Sequence, residues 1–249
     1  MAQNNEQTDN HKNNINLIPA NDWGCDIKIE KEMIAKNLKD IKDKIAPCKP
    51  RIIGVTKYYG LNAIIEGYNA GLRDFGESRA VEAERKIQML PQEIRNNSKF
   101  HFIGHLQTNK VEKVINTFDY IHSVDTLKLA KAISEKNSTK KDIKILLQVN
   151  LSGEESKSGF NKSELIQYFS QILNLENFKV IGLMQMLPYG ATEKEQHTLF
   201  KEMCLLRNNL EESYKVGLPE LSMGMSDDYQ VAVQEGATMI RIGRKLFKV

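Results

Sequence analysis

Eight short β-prone segments, each separated from the next by a stretch of helical periodicity, place the tightest constraint on how this chain can fold. The β-prone runs cover residues 51–58, 73–77, 99–103, 120–124, 144–149, 179–184, 220–223 and 239–242. Helical spacing fills the intervals at 61–70, 79–90, 109–117, 127–136, 161–175, 192–214 and 228–234, after an opening helix over 26–46. Parallel strands need a crossover between them, because a tight turn cannot return the chain to the same end of a sheet. Eight such units in 249 residues predict an α/β fold, a single closed (β/α)8 (TIM) barrel, which typically takes about 250 residues. An open doubly wound sheet is the alternative, since segments such as 73–77 are short.

Local signals agree with this division. Pro47 and Pro50 stop the first helix and Pro91 the third, while Gly71 and Gly236 sit just past helix ends. Asp125 or Thr126 is placed to cap 127–136. Asn161 with Glu164, and Thr192 with Glu195, have the spacing of capping boxes. Residues 144–149 are the clearest strand buried on both faces.

Composition narrows the function. A formal charge of +3, from 35 Lys and Arg against 32 Asp and Glu, gives no reason to expect nucleic acid or a membrane surface. Cys25, Cys48 and Cys204 are too scattered for a disulfide framework or a zinc site, which fits a reducing, cytoplasmic setting. No run approaches the roughly 20 apolar residues of a membrane helix. Residues 1–24 read as a flexible polar arm, with Asn13, Asn14 and Pro19 against regular structure, and 25–249 as the barrel.

The first strand ends on Lys57, after Ile52, Ile53 and Val55. An ammonium is costly to dehydrate, so such a lysine either reaches solvent or is kept for its amine, which burial drives toward the nucleophilic form. In a closed barrel the first strand lies beside the eighth, active sites sit at the C-terminal strand ends, and the loops after strands seven and eight often hold a phosphate. Those loops carry Ser226-Asp227-Asp228 and Arg241-Ile242-Gly243-Arg244. Ser226 is either the N-cap of a helix starting at Asp227 or an anion contact. Gly243 is either a strand terminator or a place for close ligand approach. Arg241, between Ile240 and Ile242, suggests a buried partner. Asp227 and Asp228 would repel a phosphate unless turned outward.

His101 and His105 share a face with no third metal ligand in view, and no metal is expected. The polar stretch Glu154-Glu155-Ser156-Lys157-Ser158-Gly159, after the fifth strand, is a loop at the barrel mouth, either a lid or a plain solvated connection.

Several segments together resemble the pyridoxal phosphate homeostasis protein family. They are Gly54-Val55-Thr56-Lys57, Phe75-Gly76-Glu77, the run from His101 to Lys110, Gly182-Leu183-Met184, Leu221-Ser222-Met223-Gly224-Met225-Ser226-Asp227-Asp228 and Arg241-Ile242-Gly243. The resemblance implies the barrel of fold-type III pyridoxal enzymes, like the N-terminal domain of alanine racemase without its second β-domain. It further implies pyridoxal 5'-phosphate as cofactor, bound to Lys57 as a Schiff base. Ser226 and the amides of Gly243 and Arg244 would hold the phosphate, Arg241 would face the pyridine nitrogen, and Ser78 and Met225 would adjoin the cofactor.

Two positions depart from the family pattern: Ser78 stands where Asn is usual, and Arg244 where Thr is usual. The ending Lys248-Val249 also differs. The implied role is a monomeric carrier in cofactor homeostasis that serves recipient apo-enzymes. Two alternatives are an amino-acid racemase, which needs a second acid/base group across the ring, and a sugar-phosphate barrel using an aldolase-like lysine.

Overall fold

The short β-prone runs pair, in sequence order, into one closed parallel barrel. Its strands are β1 (Arg51–Val55), β2 (Asp74–Glu77), β3 (Lys99–Phe102), β4 (Tyr120–Val124), β5 (Lys144–Gln148), β6 (Lys179–Met184), β7 (Glu220–Ser222) and β8 (Met239–Ile242). The computed structural model describes residues 29–138, 140–154 and 157–248. Closure comes from β1 against β8, with Arg51 opposite Met239 and Gly54 opposite Ile242. The open-sheet alternative is thereby excluded. The expected arm over 1–24 lies outside the described residues.

Helices cover the outside. They are α1 (Lys31–Ile45), α2 (Leu61–Asn69), α3 (Ala80–Met89), α4 (Gln92–Asn96), α5 (Val111–Thr117), α6 (Leu127–Lys136), α7 (Lys162–Leu173), α8 (Glu193–Tyr214), α9 (Tyr229–Gln234) and α10 (Arg244–Phe247). Ile34, Leu38, Ile41 and Ile45 form the buried stripe of α1, at the spacing that keeps one helix face apolar. Both capping boxes form, Asn161 with Glu164 on α7 and Thr192 with Glu195 on α8, and Thr126 caps α6. Most apolar burial lies between helices and strands, whereas the barrel interior holds a small cluster of Ile53, Tyr120, Leu146, Ile181, Met184 and Met239.

Several boundaries differ from those read in the sequence. The helix read at 26–46 begins only at Lys31, after an extended Glu30. Pro91 ends one helix and also opens α4, because its fixed φ suits the residue that leads into a first turn. Residues 108–110 form a turn of 3-10 helix before α5. The final α10 has no apolar periodicity to announce it, being four residues long.

The first strand stops at Val55 rather than running to residue 58. Tyr59 N–H closes a turn onto the Thr56 carbonyl at 2.9 Å, so Lys57 stands in that turn, half-buried. The dehydrated lysine at this strand end is a different one. Lys86 reaches in from α3 and donates to the Thr56 carbonyl at 3.1 Å and to Glu77 Oε1 at 3.0 Å. Thr56 Oγ1 donates to the same carboxylate oxygen at 2.8 Å. Burial pushes the Glu77 carboxyl above its usual range, and Lys86 and Thr56 pull against that shift. The three groups tie the C-terminal ends of β1 and β2 to α3.

Two tests follow from this packing. A Cβ on Gly182 would lie 1.7 Å from the Glu220 carbonyl oxygen, within the β6–β7 pairing, whereas one on Gly60 would meet nothing within 4 Å. Gly182→Ala should lower stability in urea unfolding by on the order of 3 kcal/mol, and Gly60→Ala by about 1 kcal/mol or less. Lys86→Met strands a buried carboxylate and should cost roughly 3–5 kcal/mol, while the Lys86→Met, Glu77→Gln pair should recover most of that loss.

Candidate functional site

Because all eight strands run parallel, their C-terminal ends share one mouth, and a cavity of about 1120 Å³ opens there. The turn after β1 supplies Lys57, Tyr58 and Tyr59, the turn after β7 supplies Met225, Ser226, Asp227 and Asp228, and β8 with its following turn supplies Arg241, Gly243 and Arg244. Six of the seven residues singled out in the sequence therefore line one space. Ser78 does not, although its neighbour Arg79 does. The Ser78 backbone instead packs on Gly104, where a Cβ would fall 2.2 Å from the Ser78 carbonyl oxygen.

Lys57 Nζ lies 4.9 Å from the centre of the Tyr58 ring, a cation–π distance that keeps the ammonium at the cavity wall. Ser226 is not a helix cap. The helix after it starts at Tyr229, and Ser226 Oγ accepts from the Lys245 N–H at 3.4 Å, joining the turn after β7 to α10. Gly243 precedes α10, and a Cβ there would meet Val55 at 3.5 Å, an ordinary contact. The protein's own packing therefore does not demand glycine at this position.

The two aspartates beside this turn are both engaged. Asp228 Oδ1 accepts from the Met225 N–H, and Asp227 pairs with the Arg244 guanidinium. Arg244 thus directs its charge at Asp227, and its backbone remains at the start of α10.

Arg241 is 4 % exposed and held by three hydrogen bonds. Nη1 donates to the Ser222 carbonyl at 2.7 Å and to Ser222 Oγ at 2.6 Å, and Nη2 donates to the Gln185 carbonyl at 2.9 Å. A guanidinium has five N–H groups, so Nε–H and one Nη2 hydrogen have no partner among the described residues while the side chain lines the cavity. Burial brings the Arg241 pKa down to about 10, which leaves it protonated at neutral pH.

Apart from Lys157, whose loop the sequence places at the mouth, the other participants were not legible in the sequence as cavity residues. Arg79, which precedes α3, and Glu82 on its first turn form an ion pair at 3.1 Å and line the cavity, as do Met186, Leu187 and Tyr189 after β6. Lys157, within the polar stretch left open as lid or connection, donates to the Leu187 carbonyl at 2.8 Å and so ties the loop after β5 to the loop after β6 at the mouth. Only the glycine and proline content of these loops marked them, and that marks turns in general.

The pairing of His101 with His105 does not occur. His101 points into the barrel interior, fully buried, whereas His105 is exposed and sits 3.2 Å from Asp125. Strand β3 ends at Phe102, so the alternation that would relate the two rings is lost before residue 105. Among the described residues no group of three His, Cys, Asp or Glu side chains could hold a metal, and no helix is long and apolar enough to cross a membrane.

A lysine amine, a guanidinium with spare donors and a hydroxyl beside a short helix start suit an anionic ligand, and the amine can condense with a carbonyl. Comparison with known proteins agrees. The family model described as "Alanine racemase, N-terminal domain" matches residues 29–249. A pyridoxal phosphate homeostasis protein of Aquifex aeolicus is 40 % identical over 200 residues, 79 % of this chain and 86 % of its own. That of Escherichia coli (strain K12) is 32 % identical over 224 residues, covering 86 % and 95 %. PipY of Synechococcus elongatus PCC7942, solved with PLP bound, superposes with a TM-score of 0.79 at 35 % identity, covering 86 % of this chain and all of that one. An alanine racemase of Clostridium difficile 630 shares the fold at TM-score 0.71 and 16 % identity, this chain covering 57 % of it. The chain therefore belongs to the pyridoxal phosphate homeostasis protein family, built on the alanine racemase N-terminal barrel.

Proposed function

We propose that this protein binds pyridoxal 5'-phosphate through a Schiff base on Lys57, serving cofactor homeostasis rather than amino-acid turnover. The observation that carries the reading is the convergence of Lys57, Ser226, Arg241, Gly243 and Arg244 on one cavity. In this reading the Lys57 amine condenses with the cofactor aldehyde and releases water. Ser226 Oγ and the amides of Gly243 and Arg244 hold the phosphate, and the pairing of Asp227 with Arg244 removes a charge that would otherwise repel it. Met225 adjoins the bound cofactor, and Ser78 acts indirectly, by fixing where Arg79 enters the cavity.

Arg241 offers its remaining N–H groups to the pyridine nitrogen. The cofactor supplies an electron-withdrawing ring, strongest when that nitrogen is protonated. A guanidinium still charged at neutral pH donates to the nitrogen and discourages its protonation, so the ring is a weakened sink. Racemisation also asks for an acid/base group facing the lysine across the ring. The tyrosines lining the cavity among the described residues are Tyr58, Tyr59 and Tyr189. Tyr58 lies against Lys57 itself, Tyr59 packs on Phe247 with centroids 5.2 Å apart, and Tyr189 stands exposed at the rim. This arrangement supports a carrier; the proposal extends to a monomer in the cytoplasm that passes the cofactor to apo-enzymes.

Purified protein mixed with the cofactor should develop the visible absorption of a Schiff base, fixed by borohydride onto Lys57 and lost in Lys57→Ala. Protein that stays colourless and takes up no cofactor would sink the proposal. Incubation with single-enantiomer amino acids should give no sustained conversion; steady formation of the mirror image would establish the racemase instead. Arg244→Thr uncovers the Asp227 charge beside the phosphate, but both side chains are exposed and solvent screens the repulsion, so cofactor affinity by titration should fall by less than about fivefold.

A further inference from the structure

The barrel interior carries a row of polar contacts that the cofactor site does not require. Asp74 Oδ1 lies 2.9 Å from His101 Nε2, His101 Nδ1 lies 2.9 Å from His122 Nε2, and His122 Nδ1 lies 2.8 Å from Ser222 Oγ. Ser222 Oγ in turn accepts from Arg241 Nη1 at 2.6 Å. Asp74 opens β2 and shares the N-terminal end of the barrel with Arg51 and Glu220, whereas Arg241 faces the cavity at the other end. Both imidazoles are fully buried.

We propose that Asp74, His101, His122 and Ser222 form one polarised hydrogen-bond chain that sets the orientation of Arg241, making Asp74 a positioning residue for the cavity. The donor and acceptor inventory allows a single direction for neutral rings. An ionised carboxylate only accepts, so His101 must present its proton on Nε2 and accept on Nδ1. His122 must then donate from Nε2 and accept on Nδ1. The Ser222 hydroxyl supplies that proton, which leaves its lone pairs for Arg241, a group that only donates. Every contact is satisfied and no proton is left over.

Burial holds both rings below the ordinary histidine pKa, and for His122 the nearby His101, Arg241 and Arg51 act in the same direction. The groups facing the pair are Asp74, Asp119, Arg51 and Arg241, with Tyr120 stacked on His101 at 4.3 Å between centroids. A protonated ring would place two donors face to face along the chain. The order of the chain is a property of the protein alone; its use in aiming Arg241 at a pyridine ring rests on the function proposed above.

The test uses the full chain labelled with 15N in histidine, without cofactor. Of the five histidines, two should show a protonated Nε2 and a bare Nδ1 that do not titrate between about pH 5.5 and 8, where exposed imidazoles do. Fewer than two such rings would overturn the chain, and this reading needs no variant. Asp74→Asn should then shift both resonances and weaken cofactor binding severalfold with a displaced absorption maximum, because a neutral amide oxygen replaces the charged acceptor at the head of the chain. Glu220→Gln, at the same barrel end but outside the chain, should leave the histidine resonances and the absorption unchanged. Equal effects from the two variants would refute positioning through the chain. Failure of cofactor binding with the two tautomers intact would refute the proposed function alone.

Discussion

The parallel pairing of β1 with β8 is the constraint on which the rest depends. Arg51, Ile52, Ile53 and Gly54 align with Met239, Ile240, Arg241 and Ile242. That register joins the first and last strands of a chain of 249 residues and abolishes both edges of the sheet. It also brings Lys57, three residues beyond Gly54, to the cavity that Arg241 and Gly243 line. A slip of one residue in β8 would turn Arg241 out toward the helices and an isoleucine into the cavity, because side chains alternate with a period of two. The apolar packing of Ile240 and Ile242 outside the barrel therefore determines where the guanidinium points.

The interior that results mixes two kinds of side chain. Apolar residues such as Ile53, Leu146 and Met239 pack beside His101, His122, Ser222 and Arg241, with Ile53 opposite Arg241 and Met239 opposite Ser222. A buried polar group is costly unless its hydrogen bonds are made, and an incompletely satisfied network is worse than an apolar one. The same economy governs the strand end beneath Lys57, where Lys86, Glu77 and Thr56 satisfy one another. The lysine committed to structure is buried and fully bonded, while Lys57 remains in a turn at the cavity wall. Two lysines near one strand end have opposite assignments, and burial distinguishes them.

Much of the architecture was legible beforehand. Strand and helix alternation predicted the barrel because period-two and period-3.6 patterns record which face is buried. The capping boxes at Asn161 and Thr192 were readable because each is a local exchange of hydrogen bonds within four residues. Elements without a buried stripe, α4 and α10, were missed for the same reason. The end of β1 was placed late because Tyr58 and Tyr59 are good strand formers, and only the turn onto the Thr56 carbonyl shows that they leave the sheet.

The sequence by itself determined the class of fold, the family, and the chemical groups gathered at the strand ends, since each depends on local pattern or on contiguous motifs such as the stretch ending in Asp227 and Asp228. The tertiary structure alone decided the rest. Ser78 packs on Gly104 outside the cavity, Arg244 turns its charge to Asp227, and His101 parts from His105 to meet His122. Each outcome joins residues far apart in the chain or depends on where a side chain points once its strand has neighbours, and no local pattern encodes that direction. The lysine that opened the question of function keeps its place at the mouth because eight strands close behind it.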